Sequence, residues 1–128
     1  MTPDIPDEVR RLVQGHLPTM DHLEILLYLV RKAPEGRTIP EIVEAVSPQA
    51  ETVADKLADL VESRLVVTEH GVYRYRDAPD DQTQKLTVQG LLYAYNTLPM
   101  ALIRLVYERP TYAAHLFANA FRLRKPRE

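Results

Sequence analysis

The sequence predicts a mainly α-helical protein with one small β-hairpin. Three observations carry this. Apolar residues recur at helical spacing over most of the 128 residues. One short stretch, residues 65–76, changes to a period of two. The composition, 45% hydrophobic and 27% charged, is that of a chain able to build one ordinary core. Cysteine is absent, which excludes a disulfide framework and any thiolate metal site and suits a reducing compartment.

The elements follow in order. Asp4, with Asp7 three residues on, is placed to cap a first helix whose stripe is Val9, Leu12 and Val13, and Gly15 and Pro18 are expected to end it. Thr19 is the expected cap of a second helix. Its Leu23, Leu26, Leu27 and Val30 recur at i, i+3, i+4 and i+7, and Ile25, Tyr28 and Leu29 widen the stripe, so this helix should be central. Arg31 and Lys32 close it, followed by Pro34-Glu35-Gly36. Thr38-Ile39-Pro40-Glu41 has capping-box spacing and opens a short helix with Ile39, Ile42, Val43 and Val46 inward. Ser47-Pro48 opens the next helix, lined inside by Val53, Leu57, Leu60 and Val61.

A hairpin is expected next. Leu65-Val66-Val67-Thr68 and Val72-Tyr73-Arg74-Tyr75-Arg76 flank a turn at Glu69-His70-Gly71. Asp77-Ala78-Pro79-Asp80-Asp81 reads as a polar linker. Beyond it Val88, Leu91, Tyr95, Leu98, Leu102 and Leu105 are spaced 3-4-3-4-3, a coiled-coil-like seam. Pro99 interrupts the seam and implies a kink or a new helix capped by Thr97. A last helix over 111–123 would place Leu116, Phe117, Ala120 and Phe121 on one face.

This order of elements resembles the winged helix-turn-helix superfamily. The likeness rests on Leu23 to Val30, Thr38-Ile39-Pro40-Glu41-Ile42-Val43, Ser47-Pro48 with Val53, Leu57 and Leu60, and Ser63-Arg64-Leu65-Val66-Val67 leading to Gly71-Val72-Tyr73-Arg74-Tyr75. With the resemblance covering residues 19–76, the chain divides into an N-terminal helix over 1–18, a winged-helix domain over 19–77 and a C-terminal helical extension over 82–125. An extension after the wing is similar to the dimerisation helices of bacterial repressors of the MarR and PadR kind. A homodimer through the seam of Val88, Leu91, Tyr95, Leu98, Leu102 and Leu105 is therefore expected, with Tyr93, Tyr107 and Tyr112 beside it and Gly90 allowing close approach. The same residues could instead pack on residues 1–30 of their own chain.

The resemblance further implies a cytoplasmic DNA-binding regulator. Its contacts to duplex DNA would be Gln49, Thr52 and Lys56 on the recognition helix, Arg74 and Arg76 on the wing, and Arg37 and Arg64 behind them. Charge argues against this. DNA carries about one negative charge per ~1.7 Å of axis and selects cations. Yet residues 41–63 hold Glu41, Glu44, Glu51, Asp55, Asp59 and Glu62 against Lys56 alone. The alternative is a protein-interaction module whose acidic helix docks a basic partner. Tyr73 and Tyr75 would either stack on bases or pack on the core.

The net charge of −2 hides an asymmetry: residues 1–100 are net −6 and residues 101–128 net +4. The basic end, Arg122, Arg124, Lys125 and Arg127, could touch phosphates, dock on the acidic face, lie on a membrane surface or merely solubilise the terminus. An enzyme is not expected. Ser47 and Ser63, the two serines, lie near helix ends outside any nucleophile turn. The four glycines are scattered, and His16, His22, His70 and His115 lack metal-ligand spacing. No cofactor is expected. The N-terminus shows neither a basic region nor an apolar core of a signal peptide, and the longest apolar run, from Ile25 to Val30, is too short to span a bilayer. A soluble cytoplasmic protein with no membrane partner is the expectation.

Overall fold

The computed structural model describes residues 5–46, 50–77 and 81–107. They form six helices and a three-stranded antiparallel sheet: α1 (Asp7–His16), α2 (Met20–Lys32), β1 (Arg37–Thr38), α3 (Ile39–Val46), α4 (Ala50–Glu62), β2 (Val66–Glu69), β3 (Val72–Tyr75), α5 (Gln82–Thr97) and α6 (Pro99–Tyr107). The protein is thus mostly helical with a small sheet. No helix among the described residues is long and apolar enough to cross a membrane.

The centre is α2. His22, Leu23, Ile25, Leu26, Leu27 and Leu29 are all buried, wider than a single stripe, because α3, α4 and β3 pack around it. The Thr19 hydroxyl accepts the His22 backbone N–H at 3.2 Å, the expected cap. The capping box of α3 also forms: Glu41 accepts the Thr38 backbone N–H at 2.8 Å, and the Thr38 hydroxyl accepts the Glu41 N–H at 3.4 Å. Ile42 of α3 and Val53, Leu57 and Leu60 of α4 complete this half of the core.

α4 ends in a Schellman motif. The Leu65 N–H reaches the Leu60 carbonyl at 3.1 Å and the Arg64 N–H the Val61 carbonyl at 3.0 Å. Arg64 takes the left-handed position, φ 64°, that glycine usually fills. The hairpin then turns on His70 (φ 56°) and Gly71 (φ 78°), the two positive φ values of a type I′ turn. Its register pairs Val66 with Tyr75 and Glu69 with Val72.

Several expectations need correction. A third strand exists: β1 pairs with β3, Arg37 opposite Tyr73 and Thr38 opposite Val72, giving the order β1-β3-β2. Two residues are too short for an alternating pattern, so the strand left no signal in the sequence. The cap position of α1 is Pro6, with no side-chain cap, and Asp4 lies outside the described residues; Asp7 and Glu8 serve the first turn through the helix dipole. Gly15 lies inside α1, which ends at His16. Thr97 does not cap α6. It is the last residue of α5 and donates to the Tyr93 carbonyl at 2.7 Å, while Pro99 occupies the first position of a new helix, where its missing N–H costs nothing. The expected helix over 111–123 lies outside the described residues.

The seam has a different use from the expected dimer interface. Val88, Leu91, Leu102 and Leu105 are buried within one chain, where α5 and α6 pack on each other and both pack on α1. Leu98 is half-buried at the junction of the two helices. Tyr95 turns to α2: its hydroxyl lies 3.4 Å from Glu24 Oε2 and its ring 5.5 Å beneath the Arg31 guanidinium. Gly90 serves the same internal packing, since a Cβ there would lie 3.0 Å from Val9 Cγ2 on α1. Val88, Leu91, Leu102 and Leu105 are core of one chain and not a surface, whereas Tyr95 and Leu98 are half-buried.

Two substitutions test this packing. In Gly36→Ala the new methyl would collide with Val72 Cγ1 and lie 3.2 Å from the Tyr73 carbonyl oxygen, so the variant should lose about 1–3 kcal/mol in urea unfolding. Arg64→Gly should gain about 0.5–1 kcal/mol in the same measurement, because glycine relieves the left-handed strain and returns part of that gain as chain entropy.

Candidate interaction surface

The two surfaces that the sequence singled out, the face of α4 and the hairpin, sit on the half of the core organised by α2. Along α4, Val53, Leu57 and Leu60 point inward, and helical spacing turns Glu51, Asp55, Asp59 and Glu62 outward. On α3, Ile42 points inward, with Glu41 and Glu44 outward. All six carboxylates are exposed. Glu41 is held below the usual carboxylate range, first by the Thr38 backbone N–H and then by the Thr38 hydroxyl. Glu44, Glu51, Asp55 and Glu62 form no salt bridge among the described residues. Lys56, the one cation of this stretch, is half-buried.

The residues expected to touch DNA differ in their exposure and in the partners they hold. Gln49 lies outside the described residues. Thr52 is half-buried. Arg37 donates to the Gly36 carbonyl at 2.8 Å and to Glu35 Oε1 at 3.2 Å. Arg76 is tied into the fold: its Nη1 donates to Gln84 Oε1 at 3.1 Å and to the Arg64 carbonyl at 3.3 Å. Gln84 in turn donates to the Tyr75 hydroxyl at 3.2 Å and the Arg76 carbonyl at 3.1 Å, clamping the start of α5 to the hairpin. Arg74 and Arg64 remain exposed, Arg74 on the outer side of β3 and Arg64 at the turn that ends α4. Tyr73 and Tyr75 are half-buried and pack against the core.

One residue that positions this surface escaped sequence reasoning. His22 is 2% exposed and is the one buried polar side chain among the described residues. Its Nε2–H donates to Asp59 Oδ2 at 2.8 Å, and its Nδ1 accepts from the Thr19 hydroxyl at 2.7 Å. The neutral ring, with its proton on Nε2, satisfies every partner, and the Thr19 oxygen still accepts the His22 backbone N–H. Burial pushes the His22 pKa below its ordinary 6.5, while the Asp59 hydrogen bond and charge pull the other way. The available signal was position: His22 stands three residues after the Thr19 cap, directly before the Leu23 stripe. This bridge fixes the acidic helix to α2.

An open cleft of about 390 Å³ lies between α1, the end of α4 and the start of α5, lined by residues that include Glu8, Arg11, His16, Ser63 and Asp81. The Ser63 hydroxyl and His16 Nδ1 meet there at 3.0 Å. Acyl-transfer chemistry needs a third group orienting the histidine and donors for an oxyanion. Among the described residues no carboxylate contacts the other His16 nitrogen, so the pair reads as a tether between α1 and the end of α4. No group of three metal-ligating side chains occurs among the described residues. Comparison of the chain with family models, curated proteins and solved structures returned no match.

The burial of His22 makes stability depend on pH. The unfolded chain protonates His22 near 6.5, whereas the folded protein resists protonation, so stability present above that pH is lost as pH falls below it. The urea midpoint of the protein should fall between about pH 7.5 and about pH 5.5, and fall less in His22→Gln. Equal pH dependence of the two proteins would rule this out.

Proposed function

We propose that residues 19–77 form a winged helix-turn-helix module that docks a basic protein partner through the exposed face of α3 and α4, without a catalytic step and without a cofactor. The order of elements and the paired β2–β3 ribbon support the winged-helix reading. The observation that carries the partner class is the charge of the helix that would enter a major groove. Glu51, Asp55, Asp59 and Glu62 face outward on α4, where a duplex reader would carry cations. The same surface favours a basic protein by complementary potential, which raises encounter rate and specificity more than affinity. Duplex DNA is the second reading, favoured by the exposed Arg74 and Arg64 near the hairpin.

Charge reversal separates the two. Asp59 is unsuitable because it holds His22, so the variant is Glu51→Lys with Asp55→Lys. Proteins captured by the wild type should carry basic surfaces and be lost from the variant, whose circular dichroism is unchanged. A fluorescent duplex at about 50 mM salt should bind the wild type weakly and the variant at least about tenfold more tightly. Tight, salt-sensitive duplex binding by the wild type, abolished by Arg64→Ala with Arg74→Ala, would replace the protein reading with DNA.

A further inference from the structure

We infer that the outward side of α4 is covered in the free protein by the chain's own basic end, residues 122–127, which a partner must displace. The inference rests on the reading of α4 as a docking surface and adds its regulation. Glu51, Asp55, Asp59 and Glu62 follow one another at intervals of four, four and three residues, so they stand on one side of a single helix. All four are exposed. Among the described residues, Asp59 alone of the four holds a side-chain partner, His22.

The occupant follows from charge. Among the described helices, α1 and α2 each carry as many acids as Lys and Arg, and the charges of α5 and α6 are the cations Lys85 and Arg104. α3 carries Glu41 and Glu44, and α4 sets its four carboxylates against Lys56, which is half-buried. The negative potential is therefore strongest at α4. The densest basic run of the sequence is Arg122, Arg124, Lys125 and Arg127, with no acid among them, and it lies outside the described residues. A basic run and a row of carboxylates attract, whereas α5 and α6 offer that run only like charge.

Length permits the contact within one chain. Tyr107, the last residue of α6, and Arg122 are 15 positions apart. That much chain spans up to about 50 Å, against the ~30 Å diameter of a small domain. The row from Glu51 to Glu62 is about 16 Å long, and the six residues from Arg122 to Arg127 can extend over about 17 Å. Tethering favours the chain's own end over that of a second copy. A linked segment meets its site at an effective concentration of ~1 mM, which a second copy at µM concentration does not match.

A fluorescent peptide with the sequence of residues 119–128 reports on the α4 face. The full chain carrying Arg122→Gln, Arg124→Gln, Lys125→Gln and Arg127→Gln supplies that face with its own occupant neutralised. At about 50 mM salt the peptide should bind this variant with a Kd on the order of 100 µM. It should bind the wild type about tenfold more weakly, the ratio of the effective concentration to that Kd. Adding Glu51→Lys and Asp55→Lys to the neutralised variant should abolish binding without changing the circular dichroism. A second measurement keeps the basic end intact: a nitroxide on Glu128→Cys should broaden the amide signals of α4 at about 50 mM salt and not at about 0.5 M. Equal affinity for wild type and neutralised variant overturns the inference, as does binding that survives the two lysines, no binding at all, or a nitroxide that leaves α4 unbroadened. A wild type that dimerises below about 100 µM, where the neutralised variant does not, moves the contact to a second copy and overturns it as well. None of these outcomes needs a captured protein, so this inference and the docking reading fail separately.

Discussion

The structure depends on the burial of α2 around most of its circumference. Six side chains of this one helix are buried, and each apolar one contributes on the order of 1.5–3 kcal/mol relative to exposure. Every neighbouring element is placed by what it offers that helix. α3 and α4 bring aliphatic stripes, β3 brings the half-buried rings of Tyr73 and Tyr75, and Tyr95 brings α5 into contact through Glu24 and Arg31. The one buried polar side chain among the described residues, His22, has both ring nitrogens engaged, as burial requires.

That arrangement divides the surface. With the apolar sides of α3 and α4 committed to α2, their carboxylates are left exposed. With the apolar sides of α5 and α6 committed to α1, what remains outside is partly hydrophobic and carries only the cations Lys85 and Arg104. Two of the four arginines expected to serve a nucleic acid are tied into the frame. Arg76 and Gln84 join the hairpin to α5, and Arg37 answers Glu35 beside β1.

Much of the fold was legible because its signals are local. The stripes of α2 and α4, the cap at Thr19, the box at Thr38 and Glu41 and the turn at His70-Gly71 all involve residues within four positions of each other. The same locality misled at α1 and at Thr97, where a plausible cap was present but the helix began elsewhere. It also left β1 invisible, since two residues acquire strand character only from their partner. The candidate surface was half legible. The outward carboxylates of α4 follow from helical spacing, but the occupation of Arg37 and Arg76, and the role of His22, do not.

The amino-acid order alone determined the helix-rich class, the inward stripes and the concentration of acid between residues 41 and 63, because periodicity and composition act within a turn or two of chain. Tertiary contact alone decided what each apolar face meets. The His22–Asp59 bridge joins residues 37 apart and the Tyr95–Glu24 contact residues 71 apart. An amphipathic seam has the same spacing whether it closes on its own chain or on a copy. Only the position of α1 turned the seam into a core and left Tyr93 and Met100 outside, because packing against a particular neighbour is a property of the folded chain and not of any one segment.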